Sequence, residues 1–157
     1  IKGAELVELK KCNTKEDPVR PELDNTFRRS YGRKIYGVKY KNEIHAVMCF
    51  AYTNEVPKNV DELDKFSHDA YLLSAQRDQN IGQIAIAYTV WSKKKGGGKL
   101  IVKEVFKKIK KSNHLNRLVT LSPLTEMATK FHSKNGAKLL QINETTQNFE
   151  YKINKFN

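Results

Sequence analysis

The sequence has only two cysteines, and none of its apolar runs approaches the roughly 20 residues that cross a bilayer. Cys12 and Cys49 make neither a metal-ligand spacing nor a disulfide framework, so we interpret them as thiols in unrelated settings. The first residues lack an initiator Met and a signal-peptide pattern, which indicates a trimmed start. We therefore expect a protein of the reducing cytoplasm, with no metal and no membrane partner.

Acidic residues are also scarce, because 17 Asp and Glu stand against 29 Lys and Arg and leave a net charge of +12. This imbalance predicts a polyanionic partner: nucleic acid, an anionic membrane surface or a small phosphate-rich ligand. The charge is uneven, since residues 93–111 contain nine lysines and Glu104 as their one acidic residue. That placement favours one local anion site. The 157 residues fit a single domain, residues 1–157, with a real core.

The pattern of apolar residues predicts a mixed α and β chain. Alternation over residues 33–40 and 44–53 indicates an antiparallel hairpin, and residues 83–91 (QIAIAYTVW) are typical of a buried central strand. Ile101, Val105 and Ile109 repeat on one face of a helix whose other face carries lysines. A short strand at 117–121 and a helix ending at Asn135-Gly136 follow. The tail predicts a second hairpin from residues 138–142 and 148–153.

A run of lysines and glycines, KKKGGGK at residues 93–99, joins the central strand to the basic helix. Glycines leave backbone N–H groups unshielded at a helix N-terminus, where the partial positive charge binds phosphate. The lysines add charges that reach peripheral phosphates. A flexible basic loop is the alternative, but the flanking strand and helix favour the phosphate site. The run lacks the Gly-Lys-Ser/Thr ending of a Walker loop and the context of a dinucleotide fingerprint.

His132 and Ser122 are the candidate reactive side chains. His132 lies on the helix after the 117–121 strand, and an imidazole with the ordinary pKa of about 6.5 suits proton transfer near neutral pH. Ser122 stands at the carboxyl end of that strand, where strands open onto ligand clefts. The alternatives are a structural histidine and a serine that caps the helix before Pro123.

Two segments resemble motifs of the Gcn5-related N-acetyltransferase (GNAT) superfamily. Residues 93–98 are similar to its Gln/Arg-x-x-Gly-x-Gly/Ala pyrophosphate loop, with Lys93 in first position. Ala128-x-x-Phe131-His132-x-x-Asn135-Gly136-Ala137 is similar to its motif Ala-x-x-Phe-Tyr-x-x-x-Gly-Phe, with His132 replacing the proton-donating tyrosine. The resemblance implies an α/β (α+β) fold. Its central sheet would be mixed and mostly antiparallel, flanked by helices, and splayed between the strands at 83–91 and 117–121.

Further segments resemble the acetyltransferase-like catalytic domain of the malonyl-CoA decarboxylases. Residues 46–57, 98–103, 119–123 and 131–137 are similar, in order, to that family's VEVALT-x-x-IP, GNFLIK, TLSP and FHLxNGA. The match covers about residues 44–142. It implies that Ser122 and His132 occupy the positions of the family's catalytic Ser and His.

The resemblance implies an enzyme that binds coenzyme A or an acyl-CoA as its substrate, without a metal. Pantetheine would lie in the splay and the pyrophosphate on the glycines. The expected cofactor-binding residues are Lys93, Lys94, Lys95, Gly96, Gly97, Gly98, Lys99, Val90, Trp91 and Asn135.

Three functions remain open. In the first, a malonyl-type thioester is decarboxylated, His132 stabilises and protonates the enolate, and Ser122 orients the carboxylate or the imidazole. In the second, acetyl passes from acetyl-CoA to an amine acceptor and His132 protonates the departing thiolate. The third is a non-catalytic basic module that binds nucleic acid. It is less favoured, because the basic helix has one aromatic residue, Phe106, on its apolar face.

Overall fold

A computed structural model describes residues 3–74 and 79–154. Its strands are β1 (Glu5–Leu9), β2 (Lys34–Tyr40), β3 (Glu43–Thr53), β4 (Ile84–Ser92), β5 (Arg117–Thr120), β6 (Ser122–Pro123), β7 (Lys138–Ile142) and β8 (Thr146–Tyr151). Its helices are α1 (Asn25–Arg29), α2 (Val60–Leu73), α3 (Gly97–Lys111) and α4 (Glu126–Lys134), with short 3-10 helices at Thr14–Glu16 and Ser30–Gly32.

The described strands form one sheet in the order β1-β2-β3-β4-β5-β8-β6, and β7 also pairs with β8. Every pair is antiparallel except β4 and β5. Lys41 and Asn42 connect β2 to β3, and their φ angles of 50° and 65° are those of the tight turn that matches strand twist. The predicted hairpin and the mixed, mostly antiparallel sheet are both confirmed.

The sheet opens between β4 and β5. Their parallel pairing runs from Ile84 opposite Arg117 to Ala87 opposite Thr120. Beyond that point β4 continues to Ser92, whereas β6 pairs with β8 alone among the described strands. We call this opening the split. It is the splay that the sequence resemblance predicted.

Two apolar cores cover the two faces of the sheet. On one face α3 buries Ile101, Val105 and Ile109 against a cluster that includes Phe149 and Tyr151 of β8, as its apolar periodicity predicted. On the other face the cluster includes Leu63 of α2, Cys49 of β3 and Trp91 of β4. The sheet thus separates an α3 face from an α2 face.

The tail hairpin is confirmed, but both ends of β8 lie two residues earlier than the predicted 148–153. β8 begins at Thr146, two residues before the predicted start at 148. The reason is a tight turn, because the Asn143 N–H donates to the Thr146 carbonyl at 2.8 Å and its side-chain amide donates to Thr146 Oγ1 at 2.9 Å. This shift brings Gln147 into register with Ser122.

Candidate functional site

Residues 93–99, which we call the phosphate loop, run from the end of β4 into the first turn of α3. The His45 carbonyl accepts hydrogen bonds from the N–H groups of Lys93 and Lys94, at 2.8 and 3.1 Å. The Gly97 N–H donates to the Lys94 carbonyl at 2.9 Å. Within residues 3–74 and 79–154, the N–H groups of Gly96, Gly98 and Lys99 have no recorded acceptor. The loop therefore presents several unpaired donors at the positive end of a 15-residue helix.

Glycine is required in this loop for two reasons. Gly96 has a φ of +82°, in the left-handed region, and a Cβ there would enter open space. At Gly97, by contrast, a Cβ would lie 2.0 Å from the His45 carbonyl oxygen, and at Gly98 it would lie 2.7 Å from Cε1 of Phe131. The backbone is thus pressed against β3 and α4, which leaves the outer side of the loop to a ligand.

The lysines of the phosphate loop are all exposed. Lys93 pairs with Glu16 at 3.6 Å and Lys94 with Glu43 at 3.7 Å. Lys95 and Lys99 have no acidic partner among residues 3–74 and 79–154. These two lysines carry charge that a phosphate can use.

The remaining predicted binding residues lie in different surroundings. Val90 is half-buried against the α3-face cluster, beside the split. The Trp91 side chain is buried on the opposite, α2 face, so it lies away from the α3 face of β4. Asn135 ends α4, and its amide nitrogen donates to the Phe131 carbonyl at 2.8 Å. Gly136 follows with a φ of +99°, which confirms the predicted glycine cap.

His132 is buried at the inner side of α4, with 5% of its surface exposed. Its Nδ1 is hydrogen-bonded to the Tyr151 hydroxyl at 2.8 Å, and its ring packs 5.4 Å from that of Phe149. Burial lowers the pKa of His132 to about 4 and raises the pKa of Tyr151. The imidazole is therefore neutral near pH 7, which corrects the ordinary pKa assumed from the sequence.

Ser122 is buried at the start of β6, and its Oγ lies 2.8 Å from Thr120 Oγ1. The Thr120 hydroxyl also accepts a hydrogen bond from the Phe149 N–H at 3.0 Å. The α4 cap is Thr125, whose side chain accepts from the Ala128 N–H. The alternative in which Ser122 serves as the helix cap is therefore wrong.

Strand β8 brings these side chains together. Ser122 lies opposite Gln147, and opposed residues in antiparallel strands share a face. Gln147, Phe149 and Tyr151 alternate along β8 on that face, which is the face where His132 packs. We call Thr120, Ser122, His132 and Tyr151 the reactive pocket. Within the described residues, Ser122 and His132 share no hydrogen bond, because Thr120 is the recorded partner of Ser122 and Tyr151 that of His132.

Arg20 is a further residue of the split that the sequence did not indicate. Its Nε donates to the Tyr88 carbonyl at 2.9 Å and its Nη2 to the Leu121 carbonyl at 3.2 Å. The guanidinium thus joins the two strands just where they separate. No local pattern could reveal this, since Arg20 precedes these partners by 68 and 101 residues.

Two further features are absent from residues 3–74 and 79–154. No group of three or more His, Cys, Asp or Glu side chains is arranged to hold a metal ion. No helix in this part of the chain has the length and apolar character needed to cross a bilayer. Phe106, the aromatic residue of the basic helix, is half-buried against the α3-face core.

Solved structures with the same arrangement of strands and helices include two kinds of protein. Malonyl-CoA decarboxylases from Cupriavidus metallidurans (18% identity, TM-score 0.52) and Rhodopseudomonas palustris (16%, 0.60) match over 83% and 96% of this chain. These matches cover 34% and 56% of the decarboxylase chains, so this chain spans about a third to a half of their length. A GNAT family acetyltransferase from Elizabethkingia anophelis, solved with acetyl-CoA bound, matches at 11% identity and a TM-score of 0.60. That match covers 98% of this chain and 100% of the acetyltransferase.

The chain therefore has a GNAT-like fold, as its two motif resemblances predicted, and the similarity extends to malonyl-CoA decarboxylases. No protein-family model and no curated protein sequence matches it.

Proposed function

We propose that this chain is an enzyme that binds an acyl-CoA thioester, with the phosphates on the phosphate loop and the acyl group at the reactive pocket. The observation that carries the proposal is the set of unpaired N–H groups at Gly96, Gly98 and Lys99, beside a split sheet. Phosphate oxygens fit such donors, and the glycines keep side chains out of their way. The acetyl-CoA bound to the similar GNAT acetyltransferase supports the same ligand class.

Pantetheine would extend from the loop along β4. Arg20 already satisfies the Tyr88 and Leu121 carbonyls, so the arm has to make its contacts nearer the carboxyl end of β4, around Val90. The thioester would then reach the α3 face close to β6. This path supports Val90, the three glycines and Lys99 as binding residues.

Decarboxylation of a malonyl-type thioester is the lead reaction. The bond between the α-carbon and the carboxylate breaks, carbon dioxide leaves, and the electron pair moves onto the thioester oxygen as an enolate. A neutral His132 can donate an N–H to that oxygen, and the negative charge then raises the imidazole pKa. The ring takes up a proton from the solvent and passes it to the α-carbon, so the reaction consumes one proton overall.

The polar side chains near His132 have separate roles in this reaction. Tyr151, with its raised pKa, keeps its proton and can donate a hydrogen bond to Nδ1, which leaves the hydrogen of the imidazole on Nε2. Ser122 and Thr120 form a pair of hydroxyls that can orient the substrate carboxylate. The imidazole is thus held by Tyr151, so of the two roles predicted for Ser122 the one toward the carboxylate is favoured.

Acetyl transfer to an amine is the second candidate. It is supported by the full-length match to the GNAT family acetyltransferase and by the position of His132 in the last motif of that superfamily. In this reaction the amine nitrogen attacks the thioester carbon and loses a proton to the solvent, the carbon–sulfur bond breaks, and the departing thiolate takes a proton from the site.

One assay separates the two reactions. The protein is incubated with malonyl-CoA, and acetyl-CoA formation is followed for the wild type, His132→Ala and Ser122→Ala. His68→Ala serves as the matched control, because His68 lies on α2, stacked on Tyr31. We expect product from the wild type and the control and little from the other two variants.

Two other outcomes would contradict the proposal, the first for the lead reaction alone and the second for both reactions. No product from malonyl-CoA, with release of free coenzyme A from acetyl-CoA once an amine is supplied, would favour the transferase. Failure to bind coenzyme A at low salt, measured by calorimetry, would overturn both enzyme functions. It would favour a function in binding an acidic macromolecule such as nucleic acid.

A further inference from the structure

A cavity of about 510 Å³ lies between the sheet and the last turns of α3, and we call it the α3 cavity. The described residues that line it include none of the phosphate loop or the reactive pocket. Ile109 lines the cavity, and a rise of about 1.5 Å per residue places it about 18 Å along the helix from Gly97. Sites for small organic ligands have volumes of about 300–1,000 Å³. The α3 cavity is therefore large enough for a ligand and is separate from the site already described.

Three aromatic side chains from neighbouring strands form the floor of the α3 cavity. Tyr36 of β2 and Phe50 of β3 meet edge to face, with ring centroids 6.0 Å apart. Tyr52 of β3 stacks with Phe50 at a centroid distance of 6.3 Å and an angle of 16° between the planes. Each of the three is at most 9% exposed. Because aromatic rings pack well on one another in offset and edge-on arrangements, this floor suits a flat aromatic ligand.

The rim of the α3 cavity carries positive charge. Nζ of Lys108 lies 5.5 Å from the centroid of the Tyr36 ring, so this ammonium group stands over the floor. Lys111 and Lys34 also line the cavity. Lys34 is partly neutralised by Glu8 at 3.3 Å. Lys108 and Lys111 are exposed, and neither has an acidic partner in the described part of the chain.

The surroundings favour an anion over a cation. No Asp or Glu is among the described residues that line the cavity. The last carbonyl groups of α3 carry about half a negative charge, whereas the last turn contributes Lys108, Lys110 and Lys111. Burial raises the pKa of both Tyr36 and Tyr52, so their hydroxyl groups stay neutral and do not repel an anion. The charge at this end of the helix is therefore positive.

Hydrogen bonds hold the walls of the α3 cavity in place. The buried Asn80 lines it and donates from Nδ2 to the carbonyls of Tyr52, at 2.7 Å, and Ser67, at 2.9 Å. On the helix side, the N–H of Leu115, another lining residue, donates to Ser112 Oγ at 3.1 Å. A cavity that exists before the ligand arrives loses less free energy to ordering when the ligand binds.

We propose that the α3 cavity is a second binding site of this chain, and that its ligand is a small aromatic carboxylate. The aromatic ring of the ligand packs on Tyr36, Phe50 and Tyr52. Its carboxylate meets the ammonium groups of Lys108 and Lys111. This site stands apart from the proposed acyl-CoA function, and neither needs the other to be correct.

The test titrates the whole folded protein with 2-naphthoate, followed by calorimetry and by backbone amide NMR. We expect saturable binding of one molecule per chain, with the largest shift changes at the residues that line the α3 cavity. The uncharged analogue 2-naphthalenemethanol should bind about tenfold more weakly or worse, because it lacks the carboxylate. Saturating coenzyme A should leave the affinity for 2-naphthoate nearly unchanged, since the two sites lie far apart.

Two lysine variants form a matched pair. Lys108→Ala should weaken 2-naphthoate binding about fivefold, the loss expected for one partly exposed ion pair. Lys110→Ala is the control, because Lys110 is exposed in the same turn of α3 but does not line the cavity. It should bind like the wild type. The NMR spectrum of each variant shows directly whether it is folded.

Four results would overturn the proposal. The first is no binding of 2-naphthoate by the wild type. The second is displacement of 2-naphthoate by coenzyme A, which would place it at the phosphate loop or in the split. The third is equal affinity for the uncharged analogue, and the fourth is an equal loss in Lys108→Ala and Lys110→Ala, which would indicate attraction to the basic surface in general. The wild-type titration decides the question even if a variant fails to fold.

Discussion

The phosphate loop and the reactive pocket lie on the same face of the sheet but use different polar groups. The four lysines of the loop and Gly96 are exposed, whereas Gly97 and Gly98 are buried, and the donors are main-chain N–H groups at Gly96, Gly98 and Lys99. The pocket is buried, and its polar groups are the side chains of Ser122 and His132 with their partners. Main-chain donors depend on backbone placement, whereas side-chain donors depend on burial and on neighbours.

This difference predicts how each half responds to change. A loop built from the backbone should fail when the backbone is displaced and should tolerate loss of a single lysine. A pocket built from buried polar side chains should respond to pH and to the loss of single hydroxyl groups.

Gly97→Ala should do the most damage. The new Cβ would meet the His45 carbonyl at 2.0 Å, and neither backbone can move away cheaply. We expect loss of coenzyme A binding in calorimetry and a fall of about 3–5 kcal/mol in the free energy of unfolding measured in urea. The matched control is Gly96→Ala, which has open space and should lose about 1 kcal/mol from its left-handed φ alone. Equal behaviour of the two variants would show that the close approach to His45 is unimportant.

Acidic pH should destabilise the protein through His132. The pKa of this imidazole is about 4 when folded, against about 6.5 when unfolded, so the unfolded chain takes up a proton first as the pH falls. The stability from this group is complete above pH 6.5 and is lost down to pH 4, a change of about 3 kcal/mol.

Urea unfolding of the wild type and of His132→Asn across that range measures the effect. The other histidines and the carboxylates are common to both proteins, so they cancel in the difference. Parallel stability curves for the two proteins would contradict a neutral, buried His132.

Tyr151→Phe should lower turnover with little change in coenzyme A affinity. It removes the hydroxyl at 2.8 Å from His132 Nδ1 and keeps the ring that packs in the core. The loss of one hydrogen bond corresponds to about tenfold in rate. Tyr71→Phe on α2 is the control. A Tyr151→Phe variant with unchanged turnover would remove Tyr151 from the reactive pocket.

Lys95→Ala should have a small effect, a loss of about 0.5–1 kcal/mol in coenzyme A affinity that disappears at high salt. Lys93→Ala should lose less, because Glu16 already partly neutralises that lysine. Titrations at low and high ionic strength measure both. Salt-independent losses would indicate a contact other than charge.

The contrast between the two halves also explains how far the sequence could predict them. The phosphate loop and α3 follow local rules, since the glycines, the lysines and the spacing of Ile101, Val105 and Ile109 are all adjacent in sequence. The turn at Lys41 and Asn42 follows local rules as well. The order of the family motifs additionally predicted the split in the sheet and indicated Ser122 and His132 as candidate reactive residues.

The rest depends on pairing between distant segments. Tyr151 reaches His132 because β8 pairs with β5, and Thr120 reaches Phe149 for the same reason. Arg20 enters the split from the far end of the sequence. The pKa of His132 is set by burial, which a single sequence does not contain. Contacts of this kind have no local signature.

The contact between Gly98 and Phe131 has a consequence for any attempt to redesign this protein. A Cβ on Gly98 would meet the Phe131 ring at 2.7 Å, and that ring lies edge-on to His132 with centroids 5.1 Å apart. The first turn of α3 and the helix that carries the imidazole therefore share one aromatic wall. The proposed phosphate site and the proposed reacting group are thus in contact through Phe131, so we expect a library that varies the loop alone also to move His132.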